Sequence, residues 1–529
     1  MRIIKKSILL LTSSVLLGTV AGCKAKELVI PSVDVTELSI NLPNLPTRNE
    51  GSIRSYADYE YIDLYELSDF HGAVNYEPGH SSGDYIGLAK LATFFDEKRE
   101  SNPGGTLVLS SGDMFQGSAD SNLTRGYMVN YSMQYMGFDA MAVGNHEFDW
   151  TETWLKNNAE LKYNTSSIPF LGANIQKTAD GKVPDYLKSS VVVERGDYKI
   201  GIIGVIGSEL EDSILKSAIE GFEFVKYQTI VDNEAARLKS EEGCNAVVLL
   251  AHEAADKIEV TTGVDAYFGG HAHVNTTSKV NGKPSLATLN YGQSVAHISL
   301  KFNKSSKAIV EDGAEYETIT MASVGAQLAE NADIKNIMSQ YAPAVDEIKN
   351  IKLGKCNEEL EYDKALKNIC TKSMHEAAVK AAENMDIDTS KIVVSYHNVK
   401  GGIRDNIAKG VITYGSVYKA FPFDNEVVLI KIKGKLLKDK IMDLNGYGLY
   451  RTFSKKSELD NDTDYYVVTT DYLALAETFS NAFNLTEADL IRTGKVVRDE
   501  VAAKIYSVKN VKNSKWNANE ECYKAIPRY

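Results

Sequence analysis

From residue 59 to about residue 325, short apolar runs alternate with segments of helical periodicity. The runs YIDLYEL, TLVLSS, DAMAV, YKIGIIGV, NAVVLL and DAYFGG have the length of strands. The segments DYIGLAKLATFFDEKRE and YQTIVDNEAARLKS lie between such runs and have helical spacing. This alternation is typical of an α/β domain whose sheet is largely buried.

A second α/β pattern lies towards the C-terminus, with strand-like runs at KIVVSY, EVVLIKIKG and DYYVVTT. Between the two patterns, residues 329–352 keep helical spacing with few turn signals despite Pro343. Residues 24–57 mix Pro, Asn and Ser without periodicity. The chain is therefore predicted to contain a tether (23–57), a first domain (58–328), a helical connector (329–352) and a second domain (353–529).

The N-terminus has the features of a targeting segment. Basic MRIIKK precedes SILLLTSSVLLGTVAG, an apolar stretch too short to span a bilayer comfortably. The sequence VAGC, ending at Cys23, resembles a bacterial lipobox. We therefore expect residues 1–22 to be a lipoprotein signal peptide and Cys23 to be lipidated, which predicts an extracytoplasmic protein anchored to a membrane. An ordinary signal peptide or anchor is the alternative.

Charge and cysteine content restrict the function. The formal net charge of −13 argues against nucleic-acid binding, which needs a basic face. A phosphorylated substrate would need a local cation. Cys244, Cys356, Cys370 and Cys522 form no metal-binding spacing. Cys356 and Cys370 are close enough in sequence to form a disulfide, and the alternative is that both are buried thiols.

Potential metal ligands follow five strand candidates of the first domain. In α/β sheets the carboxyl ends of strands are where binding loops converge. Nitrogen and oxygen donors without thiolates suit Zn, Mn, Fe or Co, and their number suits two ions rather than one. The set comprises Asp69, His71, Asp113, Asn145, His146, His252, His271 and His273.

The ordered motifs D-x-H, GD, GNHEFD, AH and GHxH resemble those of the calcineurin-like metallophosphoesterases. GNHEFD and the later GGIRDNIAKGVITYGSVYKAFPFDN are similar to the bacterial 5′-nucleotidase branch, which includes UDP-sugar hydrolases and 2′,3′-cyclic phosphodiesterases. The resemblance implies a four-layer α/β/β/α metallophosphoesterase domain followed by a smaller C-terminal α/β domain that binds substrate.

The resemblance also implies roles for the ligands. Two divalent ions would activate a water for in-line attack on phosphorus. One ion would be held by Asp69, His71 and His273, the other by Asn145, His252 and His271, with Asp113 bridging the two.

By the same resemblance His146 is a catalytic residue that faces the phosphoryl group, and Asp149 orients its ring. We assign no chemistry to Glu147, which is interpreted as a loop carboxylate bonded to nearby backbone. Gln116 is either a residue that supports the ligands or part of a surface turn.

The resemblance makes three residues of the second domain substrate contacts: Arg404, and the aromatics Phe423 and Tyr472, which would stack on a base. The chain also departs from the family. It has LALAETFSNAF where the family carries GGDGF or GGDGY, and Val399 where the family has an asparagine. A second expected arginine is missing at LKNICTKSM.

The sequence therefore predicts a monomeric, metal-dependent phosphohydrolase that acts on a small phosphorylated substrate, in the first instance a nucleotide. The departures leave two alternatives. One is a hydrolase of non-nucleotide phosphate esters or sugar diphosphates, which would not need the ribose contact. The other is a surface lipoprotein that binds a ligand without turning it over.

Overall fold

The computed structural model describes residues 28–48, 50–80, 83–440 and 447–511 and divides into two compact units. The first unit comprises Glu37–Pro343 together with Asp471–Ala488. Of the described residues, the second comprises Ala344–Thr470, 489–511 and 28–36, apart from the gap at 441–446. Within the described ranges, no helix has the length and apolar character needed to cross a membrane. The predicted signal peptide, Cys23 and Cys522 lie outside the described residues.

The strands that the structure describes are, in chain order, β1 Ser55–Tyr56, β2 Tyr59–Glu66, β3 Thr106–Ser110, β4 Ala140–Ala142, β5 Phe170–Leu171, β6 Ile175–Lys177, β7 Ser190–Arg195, β8 Tyr198–Ile206, β9 Phe222–Phe224, β10 Ala246–His252, β11 Ala266–Gly269, β12 Thr276–Val280, β13 Lys283–Ala287, β14 Ser294–Asn303, β15 Glu315–Thr320, β16 Lys352–Cys356, β17 Ile392–Asn398, β18 Gly410–Thr413, β19 Glu426–Lys433, β20 Tyr447–Arg451, β21 Asp464–Thr470, β22 Leu490–Val496 and β23 Asn510–Val511.

The α-helices described are α1 Gly87–Ser101, α2 Ala119–Leu123, α3 Tyr127–Met136, α4 Thr151–Ala159, α5 Gln228–Ser240, α6 Met321–Val324, α7 Ala332–Lys349, α8 Lys367–Ala382, α9 Tyr414–Ala420, α10 Gly434–Lys440, α11 Asp471–Leu475, α12 Glu477–Phe483 and α13 Val497–Val508. A short 3-10 helix covers His146–Phe148, and a π-helix at Tyr362–Leu366 leads into α8.

Two mixed sheets form the first unit. One has the order β15-β14-β2-β3-β4-β5, with β1 added beside β2, and the other has the order β12-β13-β11-β10-β8-β7. Strands β2 to β5 run parallel, as do β8, β10, β11 and β13. The central strands are buried on both faces, which explains why AVVLLAH of β10 reads as a continuous apolar run.

The core of the first unit lies between these sheets. Leu64 and Leu109 of one sheet pack in a single cluster with Val248 and Leu250 of the other. The alternate residues of β10 point the opposite way and pack against Leu238 of α5.

On the outer side of the other sheet, Tyr65 makes an edge contact with Phe94 of α1, with ring centroids 6.2 Å apart. Helices thus cover both outer faces. The predicted four-layer α/β/β/α fold is confirmed.

The second unit has its own five-stranded sheet, ordered β20-β17-β21-β19-β22, and a small sheet ordered β18-β16-β23. Helices α8 and α13 pack together, and α8 also covers β17 and β20. Helix α9 begins with a capping box in which the Thr413 side chain accepts from Ser416 N. The second domain is α/β, as predicted.

The predicted domain boundaries stay predictions. Helix α7 covers most of the predicted connector, and the division between the units falls at Pro343 within it. Part of the predicted tether is held on the first unit. Asn41 N donates to Gln340 Oε1 at 2.5 Å, and Gln340 Nε2 donates to the Asn41 carbonyl at 2.8 Å. The Pro43 carbonyl accepts from the Tyr163 hydroxyl at 2.6 Å.

Cys356 and Cys370 are not bonded to each other. Both are buried free thiols, and Cys356 donates to the Ala408 carbonyl at 3.3 Å. Burial raises the pKa of the Cys370 thiol. The alternative of buried thiols is therefore correct, and the disulfide is not formed.

Candidate metal centre

The predicted ligands lie at the carboxyl ends of five parallel strands: His252 is the last residue of β10, and the others lie in the loops that follow the strands. The loops after β2, β3 and β4 belong to one sheet, and those after β10 and β11 to the other. Two sets of ligand atoms converge there. They are Asp69, His71 and His273, and Asp113, His252 and His271.

In the first set, His71 Nε2 lies 3.1 Å from His273 Nε2, which is 3.4 Å from Asp69 Oδ1. His71 Nδ1 is 3.0 Å from the carbonyl oxygen of Gln116. A carbonyl oxygen only accepts, so Nδ1 carries the proton and His71 Nε2 presents a lone pair to the centre. Gln116 is buried, so its backbone supports a ligand and the residue is not part of a surface turn.

In the second set, Asn145 Oδ1 lies 3.0 Å from both His252 Nε2 and His271 Nδ1. Asp113 Oδ2 is 3.2 Å from His252 Nε2. His252 Nδ1 donates to the Ser111 carbonyl at 2.8 Å, so the neutral ring has its lone pair on Nε2. Asn145 thus joins the second set through its amide oxygen.

These arrangements have the spacing of ligands around a cation. His71 Nε2 turns a lone pair towards a second imidazole nitrogen, and such a pair repels unless a proton or a cation lies between. Two ligands held about 2.1 Å from one ion are separated by about 3.0 Å at right angles and about 3.4 Å in a tetrahedron. The observed separations of 3.0 to 3.4 Å lie in that range. The site therefore has donors suited to divalent ions of the Zn, Mn, Fe or Co type.

Without metal ions, the histidines among the predicted ligands have pKa shifts in opposite directions. Burial opposes the charged form of His252, but the adjacent Asp113 carboxylate outweighs it and raises the pKa of His252 to about 10. Burial lowers the pKa of His71 well below its usual value and that of His271 to about 4. Imidazoles that stay neutral offer the lone pair that metal ligation requires.

Glu147 ties two ligand loops together. It is 3% exposed, and its carboxylate accepts from the backbone N–H groups of Asp113 (2.8 Å), Met114 (2.9 Å) and Gly144 (2.8 Å). Burial and the neighbouring Asp113 raise the pKa of Glu147 to about 7, against the effect of these donors. The interpretation of Glu147 as a backbone-bonded carboxylate agrees with these contacts.

His146 and Asp149 form the predicted pair. His146 Nδ1 lies 2.8 Å from Asp149 Oδ2, and the side chains are 12% and 17% exposed. The pair is positioned by the 3-10 helix that starts at His146, and His146 N donates to Asp113 Oδ1 at 2.8 Å. The ring of His146 is centred 5.3 Å from that of His71. The predicted catalytic pair thus lies beside the first set of ligands.

Sequence reasoning missed the side chains that support the first set. Ser68 donates to Asp69 Oδ2 at 2.7 Å and lies 3.0 Å from the Thr288 hydroxyl. Asn290 Nδ2 is 3.1 Å from His273 Nδ1. If His273 Nε2 binds a metal, Nδ1 must carry the proton, and Asn290 must then present its amide oxygen. Ser68 adjoins a ligand in the sequence, whereas no local pattern marks Asn290.

The predicted substrate contacts are divided between the units. Arg404 and Phe423 belong to the second unit, where the Arg404 guanidinium is 5.1 Å from the centre of the Phe423 ring. Tyr472 lies in α11, which belongs to the first unit. The two aromatics are therefore not members of one compact unit.

Two family descriptions match the chain. Calcineurin-like phosphoesterase matches residues 64–275, and the 5′-nucleotidase C-terminal domain matches residues 345–451. The four-layer fold and paired ligand sets of the first unit are those of a calcineurin-like metallophosphoesterase. The second family follows in the same chain, and this arrangement fits the bacterial 5′-nucleotidase branch of that family.

Known proteins show the same relationship. The chain is 27% identical to Endonuclease YhcR of Bacillus subtilis, over 73% of this chain and 33% of YhcR. It is 24% identical to Cell wall protein Lmo0130 of Listeria monocytogenes, over 78% of this chain and 61% of Lmo0130. The chain thus spans about a third and about three fifths of these relatives. It shares the fold of a 5′-nucleotidase precursor from Thermus thermophilus, with 21% identity, a TM-score of 0.69, and coverage of 89% of this chain and 100% of that one.

Proposed function

We propose that this protein is a metal-dependent phosphohydrolase that releases phosphate from nucleotides outside the cytoplasm. The observation that carries the proposal is the pair of ligand sets beside His146 and Asp149. Asp69, His71 and His273 would hold one divalent ion, and Asn145, His252 and His271 the other, with Asp113 shared between them. When bound, the ions would supply Lewis acidity at the phosphoryl oxygens and lower the pKa of a coordinated water.

His146 and Asp149 would assist the departure of the leaving group. The carboxylate of Asp149, 2.8 Å from His146 Nδ1, fixes the ring and favours its protonated form. His146 would then stabilise negative charge on the phosphoryl group and donate its Nε2 proton to the departing oxygen. Without that carboxylate, the imidazole would be protonated in a smaller fraction of molecules, and its ring would be less well oriented.

Nucleotides are the favoured substrates because of the second unit. Arg404 supplies a cation in a protein of net charge −13, and Phe423 beside it offers an aromatic face to a base. Tyr472 would be the second aromatic. The absence of the GGDGF pattern favours the alternative of non-nucleotide esters or sugar diphosphates, since a ribose hydroxyl would lack its acceptor. A ligand-binding lipoprotein without turnover is the second alternative.

The location follows from the N-terminal sequence. Lipidation of Cys23 would anchor a monomer to the outer face of a bacterial membrane. Lmo0130, to which the chain is similar, is described as a cell wall protein, and this supports a location outside the cytoplasm.

The proposal is tested by phosphate release from nucleotides, cyclic nucleotides, UDP-sugars and sugar phosphates, with elemental analysis of the same preparation. We expect hydrolysis that a chelator abolishes, and a loss of about 10²-fold or more in His146→Ala with unchanged metal content. The matched control is His297→Gln. It alters another histidine paired with an aspartate, Asp63 at 3.1 Å, and should keep its activity. A metal-loaded protein that hydrolyses none of these compounds would contradict the proposal.

A further inference from the structure

Arg498 is a buried arginine in the first turn of α13, and its guanidinium is directed at the turn that follows α9. The residue is 5% exposed. Its Nη1 donates to the Phe423 carbonyl at 3.2 Å, and the carbonyls of Phe421 and Pro422 are 3.4 Å away. Its Nη2 donates to Asp424 Oδ1 at 2.5 Å. One guanidinium therefore contacts all four residues of the 421–424 turn.

The opposite side of the guanidinium is also fixed. The Tyr418 ring lies 3.8 Å from Arg498 Cζ, and Nε donates to the Tyr414 hydroxyl at 3.1 Å. The planar guanidinium of arginine has five N–H donors and can donate to carbonyls, a carboxylate and a hydroxyl at once. The ammonium group of lysine is a compact charge with only three donors and cannot reach all of these acceptors. Replacement by lysine should therefore keep the charge but release part of the turn.

The turn that Arg498 holds contains Phe423, one of the two predicted substrate contacts of the second unit, and the other, Arg404, packs against it. Phe423 is half-buried, and its own carbonyl is one of the acceptors. Arg404 N donates to the Ala420 carbonyl at 2.9 Å, directly before the turn, and its guanidinium lies over the Phe423 ring. A shift of the turn would therefore move the aromatic face and the cation beside it.

We propose that Arg498 is a positioning residue that fixes the 421–424 turn so that the Phe423 ring presents its face to the base of a nucleotide. The role of the ring rests on the proposed function, whereas the hold of Arg498 on the turn does not. Since a base stacked on an aromatic ring contributes to binding, Arg498 acts on substrate affinity and leaves the chemistry at the metal centre unchanged.

The kinetic test compares Arg498→Lys with the wild type on AMP and on ribose 5-phosphate, which has no base. We expect the KM for AMP to rise about 10-fold. The kcat for AMP and the kcat/KM for ribose 5-phosphate should stay within about twofold of wild type. Equal losses on both substrates, or an unchanged KM for AMP, would overturn the proposal.

The matched control is Arg195→Lys. Arg195 is also buried and binds an aspartate, Asp139 at 2.5 Å, and the Thr106 carbonyl, at the edge of the first unit remote from the ligand loops. Its kinetics on both substrates should match the wild type. If Arg498→Lys does not fold, Asp424→Asn replaces it, because the amide keeps an acceptor but loses the charge. The same selective rise in the KM for AMP is expected, and its absence would overturn the proposal.

A second readout separates this proposal from the proposed function. With 4-fluorophenylalanine at position 423, fluorine NMR should give one narrow resonance that shifts or broadens in Arg498→Lys. Identical spectra would refute the role of Arg498, whatever the enzyme hydrolyses. If the wild type neither hydrolyses AMP nor changes its resonance with adenosine, the nucleotide function fails, while the comparison of spectra still decides whether Arg498 positions the ring.

Discussion

Glu147 lies inside the GNHEFD motif but has no predicted chemistry, and its replacement should nevertheless damage the site. Its Oε2 accepts from both Asp113 N and Gly144 N, and its Oε1 accepts from Met114 N. In Glu147→Gln the amide oxygen can keep the first two bonds. The amide N–H₂ then faces the N–H of Met114, so that two donors oppose each other inside the protein.

The size of the effect follows from this geometry. An unsatisfied buried donor costs about 1–3 kcal/mol, and the carboxylate charge that Glu147→Gln removes is itself opposed by burial. Leaving one donor unsatisfied at a residue that is 3% exposed should therefore lower the free energy of unfolding by about 1–3 kcal/mol. For a unit of more than 300 residues, that corresponds to a fall in Tm of roughly 2–4 °C.

The assay is thermal unfolding of Glu147→Gln followed by circular dichroism, with metal content measured on the same sample. The control is Glu160→Gln, at an exposed position at the end of α4, which should unfold within about 1 °C of wild type. Metal content should fall with the stability because Glu147 holds the backbone of Asp113 directly. A Glu147→Gln protein with wild-type Tm and metal content would refute the interpretation of Glu147 as the tie between the loops.

Three further predictions concern charge and metal support. Hydrogen bonds from His297 and Arg54 outweigh burial and hold the pKa of Asp63 well below its usual value. The Asp63 carboxylate therefore stabilises the fold above about pH 4, and this stabilisation is lost as the pH falls. Asp63→Asn should make the decline of Tm between pH 5 and pH 3 less steep. The control Asp58→Asn, at an exposed position, should leave that decline unchanged. Chelation should lower the Tm because the carboxylates at the site lose the cations that neutralise their charge, and added divalent ions should restore it. An unchanged Tm would argue against metal at this site. Asn290→Ala should weaken metal binding about 10- to 100-fold in a chelator competition, whereas Asn290→Asp, which keeps an acceptor for His273 Nδ1, should not.

Much of the fold, and the convergence of the predicted ligands at one place, could be predicted because they are encoded locally. The buried run of β10 and the ligand His252 at its end are neighbours in the sequence, and so are β4 and Asn145. Parallel strands bring their carboxyl ends to one edge of a sheet, so a list of strand ends is also a list of spatial neighbours. This reasoning needs only periodicity and the residue that follows each strand.

What could not be predicted depends on contacts between distant segments. Asn290 supports His273 from another loop, and Ser68 meets Thr288, 220 residues away in sequence. Neither pair has a pattern of its own. Resemblance to a family motif assigns Tyr472 to the second domain. Its helix α11 belongs to the first unit, although the strand before it, β21, belongs to the second. Sequence order gives no indication of that change.

The backbone of the metal centre shows why so many residues besides the ligands are needed. Five of the predicted ligands have left-handed backbone conformations, with φ between 48° and 65°: Asp69, His71, Asp113, His271 and His273. Such conformations cost on the order of 1–2 kcal/mol each for a residue with a side chain, and they persist only where the surroundings determine them. Glu147 fixes the backbone of Asp113, and Tyr291 N donates to the Asp69 carbonyl at 2.8 Å. At Gly144 any side chain would collide with the Asp113 carboxylate. The strained loops are therefore held by protein contacts, and the fold itself brings neighbouring pairs of predicted ligand atoms to separations of 3.0 to 3.4 Å. It follows that the centre is largely preorganised, and that substitutions in these supporting contacts should weaken metal binding even where every ligand is intact.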